Sequence, residues 1–128
     1  MKKLFPEVLR SETASESIKL LLNISPEIEY FDGHFPEQAI LPGVTQIFWV
    51  NHFARIHLSA IIPAEEHFSH LEAVKFQQVI RPGEKVQLQL EYKKDKQKLY
   101  FKYFREEHQF SSGRLVYALP SQLGTNHV

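Results

Sequence analysis

The sequence predicts an α+β fold in which an antiparallel β-sheet wraps around one long buried helix. Three observations carry this: an alternating apolar run ending at Ile24, one uninterrupted apolar stretch from Val44 to about Leu58, and four strand-like runs after it. The first run is Ile18, Leu20, Leu22 and Ile24 with Lys19 and Asn23 between them, the period of a strand with one buried face. Residues 1–15 are polar and weakly patterned, and a short helical turn or loose arm is expected there. Pro26 closes the strand, and Gly33, Pro36 and Pro42 keep residues 29–42 irregular. Val44, Ile47, Phe48, Trp49, Val50, Phe53 and Ile56 then cover most of a helix circumference, as expected of a buried helix.

Phe68 to Ile80 reads as one long strand ended by the turn Arg81-Pro82-Gly83-Glu84. Val86, Leu88, Leu90 and Tyr92 alternate with Gln87, Gln89 and Glu91, a half-buried strand. A charged tip at Lys93–Lys96 leads to Leu99, Phe101 and Tyr103. A turn near Ser111-Ser112-Gly113 is expected before a last strand with Leu115, Tyr117 and Leu119, and 120–128 should fray. Short connections between these four strands imply antiparallel neighbours. Their apolar face must be covered, and one helix is available to cover it.

The chain has 128 residues with 15 basic and 15 acidic side chains and no cysteine, the size of one domain, 1–128. The absence of cysteine excludes disulfides, thiol catalysis and thiolate metal sites. A net charge of zero argues against nucleic acid as a partner. No apolar run approaches the ~20 residues of a membrane span. The basic start, Met1 to Glu7, has no apolar segment behind it, so a cytoplasmic protein is expected. The histidines are not spaced as metal ligands and the five glycines are scattered, so neither metal nor cofactor is expected.

Tyr30 to Val44 is denser in unusual residues than a connector requires. His34 lies between Gly33 and Phe35 in a loop stiffened by Pro36 and Pro42, and imidazole is the side chain that titrates near neutrality. Pro42-Gly43 opens the helix, where free backbone N–H groups suit a developing oxyanion. Taken alone, these residues fit a shaped turn with a solvated histidine better than a catalytic loop.

The run Gly33-His34-Phe35-Pro36, Ile40-Leu41 and Pro42-Gly43-Val44 resembles the signature of the FabA/FabZ-type β-hydroxyacyl-acyl-carrier-protein dehydratases. A weaker likeness continues through Phe68–Phe76 and Arg81-Pro82-Gly83-Glu84. The resemblance implies the hot-dog fold and dehydration of a 3-hydroxyacyl thioester on acyl carrier protein to the 2-enoyl thioester. His34 would be the base and the Gly43 N–H the oxyanion donor. Phe35, Pro42, Val44 and Phe48 would line an acyl site at a dimer interface.

The family's helix carries an acidic residue fourteen positions after the histidine, and here that position is Phe48. No acidic residue occurs between Glu37 and Glu65. Where the family commonly has glutamine, this chain has His52. His34 could serve both proton transfers, or His52, four residues from Phe48 and on its helix face, could act as the acid. Alternatively the chain is a non-catalytic hot-dog subunit supporting a paralogous dehydratase, or an acyl-thioester hydrolase. The expected assembly is a homodimer or higher homo-oligomer, or a hetero-oligomer with a paralogue. Phe48, with Trp49 and Phe53, would narrow the site with apolar walls that suit a flat conjugated chain. Dehydratases of aryl-polyene clusters are similar in carrying variant motifs of this kind.

Overall fold

The computed structural model describes residues 3–28, 31 and 39–123. In chain order the elements are β1 (Glu7–Thr13), β2 (Ser17–Asn23), α1 (Gly43–His57), β3 (His67–Phe76), β4 (Lys85–Lys93), β5 (Lys98–Arg105), β6 (His108–Ala118) and the single turn α2 (Pro120–Leu123). The six strands form one sheet in the order β1-β2-β4-β5-β6-β3. Every pairing in it is antiparallel.

The alternating runs fold as expected, with every second residue of β2, β4 and β5 buried. The register stacks these residues in rows: Leu20 opposite Leu88, Leu88 opposite Tyr103, and Tyr103 opposite Ser111. This apolar face receives Trp49, Val50, Phe53 and Ala54 of α1, all within the same buried core. Among the described residues no helix is long and apolar enough to cross a membrane.

Four expectations are corrected. Residues 7–13 are not a loose arm but the edge strand β1, held by backbone pairing to β2. All seven of its residues are exposed, so there was no burial rhythm to read. The tail expected to fray from Pro120 begins with α2, where the Gln122 side chain accepts a bond from Leu119 N. The third correction concerns β3, which does not neighbour β4; residues 77–84 carry the chain across the sheet, and β3 pairs with β6. The turn expected at Ser111–Gly113 lies instead between Arg105 and His108, and Gly113 sits inside β6. There glycine permits close approach: a Cβ at Gly113 would stand 3.0 Å from Val74 Cα.

The helix also departs from all-round burial. Val44, Phe48 and Ile56 are exposed, the first by 80%. These positions recur every four residues or a multiple of it, so they form one apolar stripe. Edge strand β3 is exposed along most of its length and carries Phe68, Leu71 and Phe76 outward.

Candidate active site

Helix α1 starts abruptly. Pro42 is its N-cap, with φ −60° and ψ 148°, and its own ring offers the first N–H groups no acceptor. Proline suits this place because its fixed φ needs no adjustment and its missing N–H would have had no partner. Gln46 N returns to Pro42 O at 3.1 Å, closing the first turn. Leu41 N is tied to Ile80 O at 2.7 Å, joining the segment before the helix to the strand connection.

Beside this start lies a cleft of about 400 Å³, walled by Ile40, Pro42, Gly43, Gln46, Phe76 and Val79 among others. Its lining is mainly apolar, with Gln46, Gln77 and Gln78 as the polar side chains. The Phe76 ring lies flush against Gly43, with its Cζ 2.7 Å from where a Cβ would stand. A side chain at position 43 would have to displace the tip of this half-exposed ring, and the glycine backbone is not left-handed.

Of the residues singled out in the sequence, His34 and Phe35 lie outside the described residues. Pro42 and Gly43 line the cleft. Val44, Phe48 and His52 are not among its described walls; they follow the outward stripe of α1 instead. There Phe5 covers two of them, its ring stacked on His52 at 3.8 Å between centroids and on Phe48 at 5.4 Å. The Trp49 indole N–H donates to Leu4 O at 3.0 Å and holds this arm in place. Sequence reasoning missed that cover. It also missed Gln46, although an amide in the first turn of an apolar helix was a readable signal.

Burial, reinforced by nearby His57, lowers the pKa of His52 below 6.5, and burial lowers that of His57. Both imidazoles are thereby favoured in their neutral form. Because the unfolded chain binds protons more readily, their contribution is complete above pH 6.5 and is lost as pH falls toward the lowered values. Thermal unfolding followed from neutral pH down to about pH 5 should show Tm falling, with a shallower slope in His52→Phe. Equal slopes in the two proteins would contradict this.

Arg55, in the last turn of α1, turns inward. Its guanidinium donates to the carbonyls of Pro63 and Glu66 and lies 5.1 Å from the Tyr117 ring centroid. Glu66 is buried and accepts from the Tyr92 hydroxyl. This cluster braces the C-terminal end of α1 against the sheet.

Comparison with known proteins agrees with this geometry. The family model described as ApeI-like, ApeI dehydratase, matches residues 10–114. A 3-hydroxyacyl-acyl-carrier-protein dehydratase FabZ of Bacillus cytotoxicus is 32% identical over 94 residues, 69% of this chain and 62% of that protein. The chain thus spans less than two thirds of that relative's length. Among solved structures, the dehydratase heterocomplex ApeI:P from Xenorhabdus doucetiae matches with TM-score 0.78 and 33% identity, covering 88% of this chain and 97% of that one. An uncharacterized protein from Erwinia carotovora subsp. atroseptica matches with TM-score 0.76 and 32% identity, covering 91% and 98%. A family match over most of the chain, joined to a sheet packed on one central helix, makes the protein a hot-dog-fold member of the ApeI-like dehydratase family.

Proposed function

We propose that this chain, acting as one domain, dehydrates a 3-hydroxyacyl thioester on acyl carrier protein to the 2-enoyl thioester. The observation that carries the reading is the Pro42–Gly43 helix start opening on an apolar cleft. In this reading the Gly43 N–H receives the thioester carbonyl and stabilises the charge that develops when the α-proton leaves. An oxyanion donor of this kind is worth about 3 kcal/mol of barrier. His34 removes the α-proton and returns it to the departing 3-hydroxyl, so water leaves without a carboxylic acid. The neutral, stacked state of His52 supports giving both transfers to His34, since a general acid must start protonated. Near-normal turnover in His52→Phe would agree, and a sharp loss would restore His52 as the acid.

The reading includes a second hot-dog subunit. The apolar stripe of α1 and the open edge of β3 together leave Val44, Ile56, Phe68 and Leu71 exposed and Phe48 and Phe76 half-exposed, an apolar surface that a second subunit would cover. A homodimer would cover them, and the ApeI:P neighbour favours a paralogous partner as a second form. With Phe48 in place of an acid, the second reading is a subunit that supports an active paralogue. The apolar cleft walls, Ile40, Pro42, Phe76 and Val79 among them, suit a flat conjugated chain, as in aryl-polyene assembly. The expected setting is the cytoplasm.

The test incubates purified protein with saturated and conjugated 3-hydroxyacyl carrier proteins and follows loss of one water by mass. Dehydration by the protein alone, faster on conjugated chains, is the expected result. Carrier binding without dehydration would transfer the chemistry to a partner, and a preference for saturated chains of equal length would remove the polyene assignment.

A further inference from the structure

The geometry assigns to Gln46 the role of positioning residue for the Gly43 N–H, held in turn by Ser111 and Tyr103. This rests on Gly43 being the donor to the thioester carbonyl, and it deepens that reading.

Gln46 is 3% exposed and Ser111 0%, in a region otherwise filled by apolar side chains. A buried amide is costly unless both its ends are bonded. Here they are: Gln46 Nε2 donates to Leu41 O at 3.2 Å, and Ser111 Oγ donates to Gln46 Oε1 at 2.7 Å. The orientation is determined, because a carbonyl only accepts, so the amide nitrogen must face Leu41 and its oxygen is left for the serine hydroxyl. The Tyr103 hydroxyl donates to the Gln46 backbone carbonyl at 2.7 Å. Tyr103 and Ser111 are register partners on β5 and β6, so neighbouring positions of the sheet grip the main chain and the side chain of one helix residue.

The target of that grip is the peptide carrying the proposed donor. Gln46 N donates to Pro42 O. That oxygen shares a planar trans peptide with the Gly43 N–H, and in such a plane the two groups point in opposite directions. Holding Pro42 O toward the helix therefore turns the Gly43 N–H away from it. The side-chain bond to Leu41 O sets the preceding peptide plane, whose residue is also tied through its own N–H to Ile80 O. Gln46 thus restrains two successive planes, and both Gln46 and Gly43 border the cleft. Leucine or methionine would fill the same space without a polar group to satisfy. A fully bonded polar network in an apolar core specifies one arrangement, and this one specifies the helix start.

The experiment compares Gln46→Met, which keeps the volume and removes both side-chain bonds, and Ser111→Ala, which leaves the glutamine but removes its donor. Leu99→Ala, a core truncation away from the cleft, is the control for lost stability. Two readouts are taken: steady-state dehydration, and the Gly43 amide resonance in 15N-labelled protein. A small displacement of a reacting group costs turnover steeply, so kcat should fall about 10- to 100-fold in Gln46→Met with KM nearly unchanged. Ser111→Ala should fall in the same direction by less, and Leu99→Ala should keep its kcat. The Gly43 amide resonance should move in the first two variants and stay in the control. An unmoved Gly43 resonance, or a kcat loss shared by Leu99→Ala, would reduce Gln46 to a packing residue. If the wild type dehydrates no carrier substrate, the functional reading fails, and the Gly43 resonance alone still decides whether Gln46 positions it. If Gln46→Met does not fold, Ser111→Ala carries the same decision.

Discussion

His34→Ala is expected to lower the rate of dehydration by about 10²–10⁴-fold, the range for a positioned general base. The loss should be large because this reading gives both proton transfers to His34. No acidic residue occurs between Glu37 and Glu65, and His52 is stacked beneath Phe5 in a setting that favours its neutral form. A single group acting as base and then as acid also predicts the form of the pH profile. The kcat of the wild type should rise through one ionisation on the acid side, without the opposing limb that a separate carboxylic acid would add. Carrier binding should survive in the variant, since the described cleft walls are untouched. Residual dehydration within about tenfold of wild type would place the chemistry elsewhere, and a bell-shaped profile would call for a second titrating group.

Gly113→Ala is expected to destabilise the protein by about 1–3 kcal/mol, the cost of overpacking a tight contact. At roughly 4 °C per kcal/mol for a chain of this size, the change should be plain in a thermal melt. The contact exists because β3 is irregular between Glu72 and Lys75 and Ala73 takes a positive φ of 52°, which brings Val74 onto β6. The added methyl would stand 2.9 Å from Val74 Cγ2, 3.0 Å from Val74 Cα and 3.1 Å from Phe101 Cε2. A side chain can rotate away, but the Cα moves only if the strand moves. Val74→Ala in the same chain should therefore recover part of the loss and not all of it. Since β3 also carries Phe76 against Gly43, the variant should lose turnover as well as stability. A melt unchanged from wild type would show that β3 relaxes freely.

Much of this architecture was legible in the residues. Ile18, Leu20 and Leu22, and again Val86, Leu88, Leu90 and Tyr92, face one side of a sheet because alternation is the direct consequence of strand geometry. The helix start at Gly43 was readable because proline and glycine act on the backbone of their own residue. β1 was illegible for a physical reason: its stability comes from backbone bonds to β2 and leaves no apolar pattern. Gly113 was misread because glycine serves a turn and a close approach equally well, and only the neighbouring strand distinguishes them.

The sequence by itself determined the alternating strands, the single apolar helix, the Pro42–Gly43 start and the replacement of the expected acid by Phe48. Those properties are local, set by side-chain chemistry and backbone preference within a few residues. Tertiary structure alone decided that β3 pairs with β6, that Phe5 lies over His52, and that Ser111 and Tyr103 converge on Gln46. Each joins residues 35 or more positions apart, where no sequence period operates and only the closing of the sheet over the helix brings the partners together.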